Sequence, residues 1–405
     1  MSRIRSVALR SIYDSRGHRT VEATLTTTSG ATGRAGAPSG ASTGAHEVQA
    51  LPAGGVEAAG RFVRDHLAPR LVGLEVTDQA RFDAALHAAD PSPLFERLGG
   101  NTATALSVAA ALAAATEQGV PLHTLWRRPG VPEGSVPTIV GNCLNGGRHA
   151  IGGPDIQEFL AIASAPRAED SVRAALDVHR RVGAALHQRF PQAALGRGDE
   201  GGWVAPVGNL DALQILTEAC TAARDALGVE VHPGLDLAAS EFFSEGRYRY
   251  REQTLDDEGQ IGFLTSLVDR FGIRYLEDPF DEEAFEPFAR LTREVGSRTL
   301  VVGDDLYTTN LTRLEQGISS GSSGAILIKV NQVGTLTDTL ATVDRARAAG
   351  MRTVTSHRSG ELPEGWLAHL AVGTGAWGLK CGLLGGERVA KLNELLRVGA
   401  PAGAP

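Results

Sequence analysis

The chain has 405 residues, 42% of them hydrophobic, with 39 basic against 47 acidic side chains and a formal net charge of -8. This length and composition support a large buried core in two or three domains, and the acidic balance excludes nucleic acid or an anionic membrane as the main partner. Three cysteines, Cys143, Cys220 and Cys381, lie far apart without ligand spacing, which argues against a disulfide framework or a zinc site and for a reducing compartment.

The first residues carry no apolar signal region, so a cytoplasmic location is expected. Alternation in "TVEATLTTT" predicts a half-buried strand, followed by the Gly-rich loop "GAPSGASTG" and then helices. The most apolar stretch, "ATALSVAAALAAATEQGV" (103–120), is too short to span a bilayer and carries Glu117; it reads as a packed helix. A small α+β domain over residues 1–130 follows. The Pro- and Gly-rich "RRPGVPEGSVP" (127–137) marks the boundary, and residues 131–405 form the second domain.

From residue 234 onward, short apolar runs keep ending in a polar group: "GLD", "RYLED", "TLVVGDD", "AILIK", "RTVTSH" and "WGLK". Their last or first polar residues, Asp236, Glu277, Asp304, Lys329, His357 and Lys380, recur at intervals that fit a strand, a helix and two turns. Between them Phe285, Phe288, Leu291 and Val295 repeat at helical spacing before Gly296, as do Leu336, Leu340 and Val343 before Gly350. Near-continuous apolar strands covered by helices predict a parallel (β/α)8 barrel, whose catalytic groups gather at the C-terminal ends of its strands.

Asp236, Glu277 and Asp304 would then crowd three carboxylates at one mouth. Hard oxygen ligands in that arrangement suit a divalent cation, most simply Mg2+; a salt-bridge cluster with Lys329 and Arg358 is the competing reading. Only three of the basic residues are lysines, Lys329, Lys380 and Lys391. Two of the three end barrel strands, and their mutual repulsion near a cation is expected to leave one amine neutral and able to take a proton. Lys391, in a helical pattern, reads as structural. The run "SHRSGE" (356–361) adds Arg358 and Ser359, a combination suited to clamping a phosphate or phosphonate.

With "YDSRG", "PSGASTG", "NGGRHA", "QEF", "GDEGG", "LDLAASEFF", "LEDPF", "GDDL", "LIKVNQVG", "SHRSGE" and "ERVAKLNELLR" in order, the chain resembles the enolase (phosphopyruvate hydratase) family over nearly its whole length. The resemblance implies abstraction of the proton α to a carboxylate, an ene-diolate stabilised by Mg2+, and loss of the β-hydroxyl as water. It implies Lys329 as base, Glu200 as general acid and Glu158 as its partner. Asp236, Glu277 and Asp304 would hold the first Mg2+, which shapes the site. Ser42 would meet a second, catalytic Mg2+ arriving with the substrate. His149, Gln157, His357, Arg358, Ser359 and Lys380 would surround a small anionic phosphate or phosphonate substrate. A homodimer or higher homo-oligomer is the assembly in keeping with the family. Glu158 precedes the apolar run "FLAI", so it reaches the mouth only if that strand runs backwards, as in the reversed second strand of an enolase-type barrel.

Several segments depart from a glycolytic pattern. "VQALPAGG" replaces a longer charged segment, "NGGRHA" brings Arg148 beside His149, "IGGPD" follows, and "SGELPEGW" and "CGLLGGER" alter two other loops. The chain stops soon after "LLRVG", without an acidic tail, which puts the usual dimer contacts in doubt. Arg148 is expected to pair with an extra anionic group on the substrate. On this reading the chain is similar to carboxyphosphonoenolpyruvate synthase, an enolase-like enzyme of antibiotic biosynthesis. An ordinary glycolytic enolase and a non-catalytic binding protein of the same fold are the alternatives.

Overall fold

A computed structural model describes residues 2–41, 44–150 and 152–399. The amino-terminal part opens with an antiparallel meander, β1 (Ile4–Tyr13), β2 (Arg19–Thr27) and β3 (Thr32–Gly36), in that spatial order. The alternation predicted in β2 is realised: Val21, Ala23 and Leu25 are buried, while Glu22, Thr24 and Thr26 between them are not fully so. The alanine-rich stretch forms helix α1 (Gly100–Gln118), buried on nearly every side and ended by Gly119 at φ 65°. Small side chains let α1 press onto the sheet. At Gly33 a Cβ would lie 2.0 Å from the carbonyl oxygen of Ala109.

The stretch between Leu125 and Thr138, where the sequence places the domain boundary, contains no helix or strand. Beyond it eight strands close a barrel: β4 (Thr138–Asn145), β5 (Glu158–Ser164), β6 (Glu230–Asp236), β7 (Tyr275–Glu277), β8 (Leu300–Gly303), β9 (Ala325–Ile328), β10 (Arg352–Ser356) and β11 (Gly378–Gly382). Successive strands are neighbours, and β11 pairs with β4 to complete the ring. Only β5 runs against both neighbours, as the position of Glu158 required, and its register sets Glu158 opposite Asp236 on one side and Asn145 on the other. The other barrel pairings are parallel.

The helices between the strands begin and end where local chemistry allows. Helix α2 (Phe285–Val295) stops at Gly296, and α3 (Leu311–Ser320) starts where the Asn310 side chain accepts the N–H groups of Thr312 and Arg313. Helix α4 (Leu336–Ala348) is capped by Thr335, and the last, α5 (Gly386–Val398), follows Gly385. Val140, Leu160, Ile162, Tyr275, Val302, Ala325, Leu327 and Val354 form a separate apolar cluster inside the ring. That plug fills one part of the barrel and leaves the charged strand ends at its mouth. Among the described residues no helix is long and apolar enough to cross a membrane.

Candidate active site

Lys329, Lys380, Asp236, Asp304, Glu158, Glu200, His149, Gln157, His357, Arg358 and Ser359 line one cavity at that mouth. Glu277 lies just beneath, fully buried, with its carboxylate accepting the Tyr275 hydroxyl at 2.6 Å. Most of the side chains expected from sequence are therefore brought together, although they come from strands and loops spread over more than two hundred residues. Ser42 lies outside the described residues.

The lysines are bound to the carboxylates. Lys380 Nζ lies 2.7 Å from Asp236 Oδ2, 2.7 Å from Glu277 Oε1 and 3.2 Å from Glu158 Oε2, while Lys329 Nζ pairs with Asp304 Oδ2. Burial is the largest influence on Lys329 and lowers it, but Asp304 together with the other nearby acids holds it above its ordinary value; the carboxylates around Lys380 likewise overcome burial and raise that amine well above its own. Lys380 does lower Lys329, in the direction expected from their repulsion, but the carboxylates beside each amine outweigh that effect. Lys380 Nζ sits between Asp236 and Glu277, and Lys329 holds Asp304. The tight clusters among the described residues are Asp278, Asp304 and Asp305, and His149, Glu158 and Glu200, each with ligand atoms within 4.8 Å of one another, and not Asp236, Glu277 and Asp304.

Asp278 and Asp305 are the second acids of "LEDPF" and "GDDL", and sequence reading passed over both. Asp278 adopts φ 39° and accepts the backbone N–H groups of Asp304 and Asp305 at 2.9 and 2.8 Å, which aims the turn after β8. The doubling of the acid in each motif was the available signal.

On the opposite wall, Glu200 accepts the Ser359 hydroxyl at 3.0 Å and the Asn142 amide at 3.2 Å, and lies 3.1 Å from His357 Nε2. His149 Nε2 is 3.8 Å from both Glu158 and Glu200. Burial and then the charge of Glu200 push Glu158 well above the carboxylate range; burial acts on Glu200 too, but His357 and His149 beside it hold it well below. The charge of Glu200 thus disfavours a second charge on Glu158. Burial lowers His357 to about 4, with Arg388 adding to it against the pull of Glu200, so the ring is neutral near pH 7.

Arg358 faces the amino-terminal part. Its guanidinium meets Glu47 at 2.8 and 3.2 Å and the Asn331 side chain at 3.2 Å. Glu47 also accepts from Gln332, which reaches Asp304 at 3.0 Å. Glu47 and Gln332 were not anticipated, since a lone acid after a Gly-rich loop has no local mark of function. The loop that carries Glu47 is pinned by Ser39, whose backbone exchanges hydrogen bonds with Gly360, and by Val48, whose N–H bonds the Gln332 carbonyl. Arg148 is not brought to the mouth. Its side chain is 58% exposed, pairs with Glu241 at 2.5 Å, and lines a neighbouring cavity. Lys391, read as structural, is buried against Glu361 and three backbone carbonyls.

Around the mouth the acids Glu47, Glu158, Glu200, Asp236, Glu277, Asp278, Asp304 and Asp305 face the cations Lys329, Lys380 and Arg358. Burial, and then Asp236, raise Glu277 to about 8; burial and neighbouring acids raise Asp278 and Asp305 well above their ordinary values. A surplus of buried, oxygen-only donors is the chemistry that a hard divalent cation such as Mg2+ offsets, so the residues fit such an ion.

A family model described as "Enolase, C-terminal TIM barrel domain" matches residues 133–404, and one described as "Enolase, N-terminal domain" matches residues 4–125. The chain is 46% identical over 401 residues to a protein named enolase from Halobacterium salinarum, covering 98% of this chain and 99% of that one. It is 45% identical over 401 residues to an enolase from Methanothermobacter thermautotrophicus, with 98% and 96% covered, and 44% identical over 402 residues to one from Halorubrum lacusprofundi, with 98% and 99% covered.

Proposed function

The chain belongs to the enolase family, and we propose that within it this carbon–oxygen lyase converts 2-phosphoglycerate to phosphoenolpyruvate and water. The observation that carries the reading is the opposition, across one mouth, of Lys329 and the buried carboxyl groups of Glu158 and Glu200.

Lys329 is the group placed to remove the α-proton once its amine is neutral, which a cation taking up the Asp304 carboxylate would favour, and its side chain is only 13% exposed, so bulk water does not compete for that step. Glu200, with Glu158 as its partner, delivers a proton to the departing β-hydroxyl. Lys380 links Glu158 to Asp236 and Glu277 and so ties the acid side to the carboxylate side. Arg358 and Ser359 supply charge and a hydroxyl for the phosphate. His149, Gln157 and His357 supply polar contacts to the rest of the substrate. Asp236, Glu277 and Asp304 would hold Mg2+, which would supply positive charge toward the substrate carboxylate. A second ion entering with the substrate and met by Ser42 belongs to the same proposal, as do a cytoplasmic, homo-oligomeric state and a division into domains near residue 130.

The larger phosphonate substrate loses its main support, because Arg148 is held by Glu241 outside the mouth and the full-length relatives carry the plain enolase name. Purified protein supplied with Mg2+ should turn over 2-phosphoglycerate at an ordinary enzymatic rate, about 1–10³ s⁻¹, read from absorbance of the enol product, and should stop when the metal is chelated. Failure with 2-phosphoglycerate together with turnover of a phosphonate analogue would replace this reading.

A further inference from the structure

We infer that Arg388 is a positioning residue that fixes which nitrogen of His357 carries the ring proton and so presents an N–H to the mouth. The inference rests on the reading of His357 as part of the substrate site.

Arg388 is fully buried near the start of α5, behind the two loops that carry Glu200 and His357. Its nearest carboxylate is Glu387, 3.3 Å from Nε. The two terminal nitrogens are spent on the loops. Nη1 donates to the Arg358 carbonyl at 2.6 Å and stands 2.7 Å from His357 Nδ1, and Nη2 donates to the carbonyls of Ser359 at 2.6 Å and Asp199 at 3.0 Å.

A guanidinium has no acceptor, so the contact with Nδ1 has one possible direction: Arg388 donates and Nδ1 offers its lone pair. The backbone N–H of Gly382 points at the same nitrogen from 3.3 Å. The ring proton of neutral His357 must then sit on Nε2. That N–H is buried, has no hydrogen-bond partner among the described residues and lies 3.1 Å from Glu200, on a ring that lines the mouth. Glycine at 382 makes the arrangement feasible, since a Cβ there would fall 2.1 Å from the Glu200 carbonyl oxygen and 3.1 Å from the Arg388 side chain. Lysine could not substitute, because a single ammonium cannot reach the imidazole and three carbonyls with the fixed fork of a guanidinium.

The test uses full-length protein labelled with ¹⁵N-histidine, in which two-bond proton–nitrogen couplings distinguish the tautomers; the signal lost in His357→Gln identifies the ring. The wild type should show His357 protonated on Nε2 only. In Arg388→Gln that pattern should be lost, kcat for the α-proton elimination should fall by about 10²-fold while KM changes less than about threefold, and Arg388→Lys should not restore kcat. A wild-type ring protonated on Nδ1 overturns the inference, and so does an unchanged tautomer in Arg388→Gln whatever happens to kcat. If Arg388→Gln does not fold, the wild-type tautomer alone decides. The tautomer is read without turnover, so failure of the proposed reaction remains a separate result.

Discussion

Lys329 sits where opposing influences meet: burial favours a neutral amine, and the Asp304 carboxylate favours a charged one. Across the mouth Glu200, with Glu158 as its partner, is the proposed acid for the leaving hydroxyl. The two halves of the reaction are therefore separable. Lys329→Ala should lower turnover by about 10³-fold and abolish exchange of the substrate α-proton with deuterated solvent. Glu200→Gln should lower dehydration by about 10²-fold or more while α-proton exchange persists, followed by NMR of recovered substrate. Retained exchange in Lys329→Ala would remove that residue from the role of base. Lys329 was legible in sequence because lysine is scarce in this chain and this one ends an apolar strand. Glu47, Asp278 and Arg388 were not. Their importance lies in what they touch across the fold, which no local pattern encodes.

At the scale of elements, hydrophobic periodicity and caps placed the barrel helices well, since an amphipathic stripe and a terminal glycine are local properties. The reversal of β5 was also readable, because the active carboxylate precedes the apolar run instead of following it. The closeness of α1 to the amino-terminal sheet was not readable, since it depends on Gly33 meeting Ala109 from another part of the chain. Gly33→Ala should force that helix outward and cost about 2 kcal/mol, measured as a lower denaturant midpoint with little change in slope. An unchanged midpoint would show that the helix has room to yield.

Across the whole molecule, the amino-terminal part and the barrel share polar contacts that depend on protonation. Glu364, in the loop after β10, accepts the backbone N–H of Gly36 at 2.8 Å and the Trp366 indole N–H at 2.9 Å. Burial raises this carboxyl from 4.5 to about 7. The folded chain therefore keeps its proton to higher pH than the unfolded chain does. The contribution of this group is greatest below pH 4.5 and is lost as pH rises through about 7, by about 2 kcal/mol after allowing for partial solvent access. Glu364→Gln should flatten that part of the slope, so the difference between variant and wild type, measured by denaturant unfolding at pH 5 and pH 8, should favour the variant more at pH 8. An equal difference at both values would show that Glu364 titrates normally.

By itself the amino-acid sequence determined the barrel, its reversed strand and the convergence of carboxylates and lysines, because strand-ending polar residues and helix periodicity are written locally and the closed ring brings them to one face. Only the tertiary structure decided which lysine pairs with which acid, that Glu158 and Glu200 are buried against the same histidine, that Glu47 reaches Arg358, and that Arg148 turns away to Glu241. Those outcomes depend on distances of a few ångströms between remote segments and on burial, which set the strength of every charge and hydrogen bond and do not exist until the chain has packed.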